Sequence, residues 1–313
     1  MSPLRRAADP ERRRALSRRG GIYGPVTRSP GHRRSVGFVA ELQAENVLAA
    51  PSPVLRGVVA RYDGFTYRGS PGGVHQGLPT RHVTMVISTG QPIVVDRSAG
   101  LDGDDTYAGL VAGLRSKPVP IRHHDAGSGV IVSLSPLGFR RLFGAPAGAL
   151  AGRVVQLEQL LGPTAAELQE RAAAARDWPA RLAAIDQTLY RLLQSPADPR
   201  PEVCDAWRRL VSSGGRMRIE ALTAETGWSR RHLECRFREE LGLGLKETAR
   251  VLRFERTVAA LGQHPAPALA RIAVECGYYD QAHLANEWRR LAGMPVTEWL
   301  CQELRDPPPV AIA

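Results

Sequence analysis

The chain has 313 residues, of which 43% are hydrophobic and 23% charged, with a formal net charge of +11 and four cysteines. That length suggests two domains, each able to bury a core, and no apolar run approaches the roughly 20 residues a membrane-spanning helix needs. The arginine-rich start lacks the apolar segment of a secretory signal, so a cytoplasmic protein with no membrane partner is expected.

The positive charge is unevenly spread. Residues 1–34 hold ten arginines against Asp9 and Glu11, whereas residues 203–303 hold 15 basic and 13 acidic side chains. Net charge alone is therefore weak support for a nucleic-acid partner. Residues 1–34, rich in Arg, Pro, Gly and Ser without apolar periodicity, read as a basic disordered tail, an artefact of a misassigned start codon, or an arm that touches phosphates.

Residues 35–195 read as a β-rich domain with trailing helices. Short β-branched runs separated by Gly and Pro predict strands over 58–62, 82–88, 92–95, 119–122 and 129–134. Pro136 and Gly144 bracket a short helix. Helices are also predicted over 164–176 and 178–193, the second with Leu182, Ile185, Leu189 and Leu192 on one stripe, suited to a sheet or a second subunit. Three prolines between Ser195 and Pro201 cannot continue a helix, so 196–202 is assigned as a linker.

Residues 203–303 read as an all-α domain containing one pattern twice. Ile219 and Leu222 lead to Gly227 and Ser229, after which Leu233, Phe237 and Leu241 recur every fourth residue. Leu269, Ile272 and Ala273 lead to Gly277 and Asp280, followed by Leu284 and Trp288 at the same spacing and then Gly293 and Pro295. A tight turn between crossed helices favours a residue free to take positive φ, which explains both glycines. Ser229 and Asp280 are good N-caps for the helices that follow. Two helix-turn-helix units, joined by a helix from about Lys246 to Gly262, are expected; residues 304–313 form a tail.

This double pattern resembles the AraC/XylS family of transcription regulators. Leu222, Gly227, Ser229, Leu233, Phe237 and Gly242 carry the likeness in the first unit, Arg253 and Leu261 in the joining helix. Ile272, Ala273, Gly277, Tyr278, Leu284, Trp288, Gly293 and Pro295 carry it in the second. The resemblance implies promoter DNA as partner, a β-rich effector domain ahead of the DNA-binding domain, and contact with RNA polymerase. Residues 134–193, with Trp178, Pro179 and Arg181, look more loosely like the sensor half of some members and imply no particular ligand. Where the family often has arginine, this chain has Cys235 and Asn286, with Glu234 adding negative charge; base readout is expected to differ or affinity to be lower. Thr223 and Thr257 stand where alanines are usual, and Leu245 where proline is.

The candidate DNA-binding residues are Arg230, Arg231, Glu234, Cys235 and Arg238 in the first unit, and Gln281, Ala282, Asn286 and Arg289 in the second. No cofactor-binding residue can be named, and no cofactor is expected. His32, His75, His82, His123 and His124 do not form the set of histidines and carboxylate that a cupin-type metal site needs, so no metal is expected. Cys204, Cys235, Cys276 and Cys301 lack metal-ligand spacing and read as reduced thiols. Asp102, Asp104 and Asp105 lack the later glutamate of a calcium loop. Nucleophile-elbow and phosphate-loop motifs are absent, which favours a non-enzyme.

The expectation is an α+β two-domain chain: a β-rich sensor or association domain followed by two helix-turn-helix units. It would act as a sequence-specific transcription regulator that binds double-stranded DNA and answers to a small-molecule effector, with a homodimer as a further candidate state. The competing expectation is a regulatory protein-interaction module whose helical domain, with acidic Glu234 and Glu287, binds DNA weakly or not at all. A catalytic N-terminal domain is a weaker third reading.

Overall fold

The central strands of the β-rich half are apolar on both faces, and the computed structural model shows what covers each face. The structure describes residues 43–96, 106–193, 198–263 and 268–305, with residues 303–305 described in their backbone alone. The basic tail 1–34, His32, the loop with Asp102, Asp104 and Asp105, part of the 196–202 linker and the tail beyond 305 lie outside the described residues. In chain order the strands are β1 (Gln43–Ala49), β2 (Val59–Arg68), β3 (Gly73–Gly77), β4 (Val83–Ser88), β5 (Ile93–Val95), β6 (Thr106–Tyr107), β7 (Gly109–Ala112), β8 (Val119–His123), β9 (Ala126–Leu134) and β10 (Val154–Gln156).

They form two sheets. One has the order β1-β2-β9-β4-β7-β10 and the other β3-β8-β5-β6, and every pairing is antiparallel. In β4, Val83, Met85 and Ile87 face the helical side, whereas Val86 faces the second sheet; in β9, Val130, Val132 and Leu134 divide from Ile131 in the same way. Successive side chains of a strand point to opposite faces, so a run apolar at every position belongs to a sheet covered on both sides.

The helices are α1 (Pro136–Phe143), α2 (Leu157–Leu161), α3 (Thr164–Ala174), α4 (Trp178–Leu192), α5 (Pro201–Ser212), α6 (Ile219–Thr226), α7 (Arg230–Leu241), α8 (Leu245–Gly262), α9 (Leu269–Cys276), α10 (Gln281–Ala292) and α11 (Val296–Arg305). Gly144 ends α1 at φ 69°, and Pro201 opens α5, where its missing N–H is not needed. The helix thus takes two residues of the expected linker, and α11 takes two of the expected terminal tail. In α4, Ile185 and Leu189 are buried, while Leu182 and Leu192 pack partly exposed on the same core. Asp177 caps α4 by accepting from the Ala180 N–H at 2.8 Å, and Asp186 accepts from the Tyr62 hydroxyl at 2.8 Å, tying α4 to β2.

Helix α8 is the strut of the C-terminal half. Leu245, Val251, Leu252, Phe254, Val258 and Leu261 are buried on different sides of it, as expected of a helix enclosed by neighbours. Phe254 meets Trp288 of α10 at 4.8 Å between ring centroids, and Trp288 in turn meets Trp299 of α11 at 5.1 Å. Arg250 of α8 donates to Glu287 of α10 at 2.5 Å, and Arg290 reaches the same carboxylate at 3.4 Å. Glu287 retains only 7% exposure, so it is an internal tie and not the surface acid that the interaction-module reading supposes.

Breaking one side of that pair leaves a charge without its partner. We expect Glu287→Gln to destabilise the chain by about 3 kcal/mol, with Arg250→Met plus Glu287→Leu recovering most of the loss. Urea denaturation of the three variants measures this; a loss below about 0.5 kcal/mol for Glu287→Gln would give the pair the weight of an ordinary surface bridge.

Candidate nucleic-acid interface and inter-sheet pocket

Both units are built as their glycines require. Gly227 takes φ 68° between α6 and α7, and Gly277 takes φ 88° between α9 and α10. The Ser229 hydroxyl accepts from the His232 N–H at 3.3 Å, and the Asp280 carboxylate accepts from the His283 N–H at 2.7 Å, so each second helix has a capped start. Leu233, Phe237 and Leu241 are buried under α7, and Leu284, Trp288 and Leu291 under α10. These anchors fix which residues each helix turns outward.

On α7, Arg230, Arg231, Cys235 and Arg238 are exposed. Arg230 lies 3.3 Å from Glu220, and Arg238 pairs with Glu234 at 3.1 Å and with Glu247 at 3.6 Å. The Cys235 thiol donates to Glu239 at 3.3 Å. Glu234 is half-buried and turned towards α8, where it accepts the Leu245 N–H at 3.1 Å. It satisfies one of the free amides at a helix start, a role that depends on how α7 meets α8. Arg231 alone among these cations has no ion pair in the described structure.

On α10, Gln281, Ala282, Asn286 and Arg289 are all exposed, and the three polar ones have no side-chain partner among the described residues. Next to them Tyr279 is 89% exposed, whereas Tyr278 is buried beneath the guanidinium of Arg253, 5.7 Å from its ring centre. Tyr279 joins the candidate surface although its sequence gives no sign of it; only the burial of its neighbour shows which of the two tyrosines points out. The second unit thus offers unpaired amides and a cation, while much of the first unit's charge is already paired.

Between the two sheets lies a pocket enclosing about 870 Å³ of space not filled by atoms, part of it open to solvent. Phe65, Tyr67, Val86, Leu110, Val119 and Ile121 supply apolar wall, and Arg115 and His75 reach it as polar groups. His75 is held neutral: burial, helped by the nearby His123, lowers it to about 4. The rings of His75 and His123 are 5.6 Å apart, and Ser70 lies 3.3 Å from His123 Nδ1. No group of three or more metal-ligating side chains occurs among the described residues.

The segment after β7 connects this pocket to the helical half. Arg115 lines the pocket; Ser116, next to it, donates to Glu247 in the first turn of α8 at 3.5 Å. Pro118 lies against Gly293 at the end of α10, 3.1 Å from where a Cβ there would stand. A second junction closes on α7: Arg140 of α1 donates two hydrogen bonds to buried Glu240, at 3.1 and 2.6 Å, and Gly148 sits so close that a Cβ would fall 2.1 Å from the Glu239 carbonyl oxygen.

A family model described as a helix-turn-helix domain matches residues 222–302, and a second, a domain of unknown function (DUF6597), matches residues 48–156. No curated protein matches the chain. Among solved structures the chain is similar to ToxT from Vibrio cholerae at 10% identity, over 83% of this chain and 98% of that one, with a TM-score of 0.47. An unsaturated fatty acid-bound wild-type ToxT from Vibrio cholerae strain SCE256 gives 9% identity over 86% and 97%, with a TM-score of 0.44. The AraC-like transcriptional activator CuxR gives 16% identity over 69% and 89%, with a TM-score of 0.25. With two helix-turn-helix units in order on one joining helix and a family model over the same residues, the chain carries a helix-turn-helix domain behind a β-rich domain, the arrangement that its resemblance to the AraC family implies.

Proposed function

We propose that the chain binds promoter DNA sequence-specifically through α7 and α10, and that a small molecule in the inter-sheet pocket modulates this binding. The observation that carries the reading is the pair of capped, outward-facing second helices held by one buried helix. A B-DNA major groove admits such a helix, and one protein can engage two successive grooves on the same face. The ion pairs of Arg230 and Arg238 make α7 the weaker reader. Gln281 and Asn286 on α10 are free to make two-point contacts with adenine edges, Arg231 and Arg289 to reach phosphates.

Ligand response has a physical route in this reading. The segment from Arg115 to Pro118 touches both the pocket and the two ends of the helical scaffold, at Glu247 and Gly293. A ligand that favours one position of that segment changes DNA affinity only by its differential affinity for the two positions.

Base-reading and phosphate-contacting residues fail differently when truncated. Using fragments selected from genomic DNA by the purified chain, Asn286→Ala should weaken the selected site by about 1–3 kcal/mol while leaving random DNA nearly unchanged. Arg289→Ala should weaken both by similar factors, since a phosphate carries no sequence information. Equal losses for the two variants on both DNAs would remove Asn286 from the reading surface.

Cys235→Arg probes the first unit. If that position faces the groove, the substitution strengthens binding and steepens the dependence of log affinity on log salt by about one. An unchanged affinity, salt slope and base preference would show that α7 does not present this face to DNA, as would complete absence of salt-dependent binding, the outcome that the protein-interaction reading requires.

A further inference from the structure

The inter-sheet pocket holds two polar side chains whose needs the protein does not meet. Arg115 follows β7 and lines the pocket, and it has no ion pair or side-chain hydrogen bond among the described residues. No aspartate or glutamate is among the described residues lining that pocket. The second group is His75, whose Nδ1 and Nε2 are both buried and without a hydrogen-bond partner. Buried polar groups in folded proteins are nearly always paired, and a charge partly withdrawn from water, as on the half-buried Arg115, is favoured by a partner of opposite sign.

The surroundings narrow what that something is. Burial lowers the Arg115 guanidinium to about 10, still charged at neutral pH, so an anion is the complement. A guanidinium presents two parallel N–H donors that match a carboxylate. Arg122, the other arginine of the lining, lies 3.8 Å from Asp96, so one cation is left to satisfy and a single negative charge does so. Phe65, Leu78, Val86, Leu110, Val119 and Ile121 give the walls a continuous apolar part that suits an apolar body, and Thr84, Ser88, Gln91 and Ser128 add neutral polar groups to the same lining. A neutral apolar guest would leave Arg115 uncompensated, and a cation would be repelled. The neutral His75 ring can both donate and accept, and so can take a hydroxyl or carbonyl on the guest.

We propose that this pocket binds an organic monocarboxylate with an apolar body, its carboxylate held by Arg115. The assignment deepens the effector part of the proposed function and rests on it for its regulatory meaning, whereas the binding itself is measured without DNA. Ligand binding and DNA binding therefore fail separately.

The test is calorimetric titration of the full chain with decanoate and with 1-decanol, below the concentrations at which either aggregates, using wild type and Arg115→Gln. The two probes share an apolar body and differ at the head. Wild type should bind decanoate at least about tenfold more tightly than decanol, and Arg115→Gln should abolish that preference while keeping its affinity for decanol. Because Arg115 is uncompensated in the empty protein, Arg115→Gln should melt no lower than wild type without ligand, and decanoate should raise the melting temperature of wild type only. Equal affinity for the two probes in wild type, an undiminished preference in Arg115→Gln, or no binding of either probe would overturn the proposal. If decanoate binds as stated and the chain shows no salt-dependent DNA binding, the pocket assignment holds and the regulatory reading falls.

Discussion

The spacing and orientation of both helix-turn-helix units depend on one helix, α8, being buried on more than one side. Each unit is too small to hold its second helix in place alone, and α8 supplies the missing wall for both. Phe254 and the Arg250–Glu287 pair fix α10, while Glu234 of α7 caps the first turn of α8 through the Leu245 N–H. Arg253 adds a tie to the loop before the first unit by donating to the Gly215 carbonyl at 2.8 Å. Charged residues on the inner faces are therefore structural, and outward ones are left for a partner. Much of the charge near α7 serves this internal use.

The β-rich half rests on the same scaffold. Arg140 and Gly148 meet α7 at Glu240 and Glu239, and Arg81 meets partly buried Glu255 of α8, whose carboxyl desolvation holds above its usual range despite that arginine. Interfaces with buried, well-matched charges are specific but sensitive, since displacing one partner strands the other. A ligand at Arg115 would act one residue from the contact of Ser116 and three from that of Pro118, so the pocket and the helical scaffold share one short segment. The size of the coupling over such a route is limited by the ligand's differential affinity for the two positions of the segment.

The helical half was largely legible in the sequence because its turns, caps and buried stripes are local. Gly227, Gly277, Ser229 and Asp280 each act within a few residues of their position, and the structure gives them the expected conformations and bonds. The strands over 82–88 and 129–134 were legible from their continuous apolar runs. Others were not: β1 is an exposed edge strand with no alternation, β7 reads Gly-Leu-Val-Ala, and β3 both begins and ends in glycine, so none has the composition that marks a strand. Glu287 carried a signal that was available, since it lies three residues after Leu284 and four before Leu291, on the buried stripe. The cap made by Glu234 and the orphaned Arg115 had none, because both arise from elements brought together by the tertiary fold.

The central claim is that α8 holds α7 and α10 so that both engage one DNA duplex, and hydroxyl-radical footprinting of the full chain on a selected genomic fragment tests it most directly. Two protected patches on the same face of the duplex, about one helical turn or ~34 Å apart, are the predicted result. A single protected patch, unchanged in extent when α7 is altered at Arg231 and lost when α10 is altered at Asn286, would contradict the account by showing that only the second unit touches DNA.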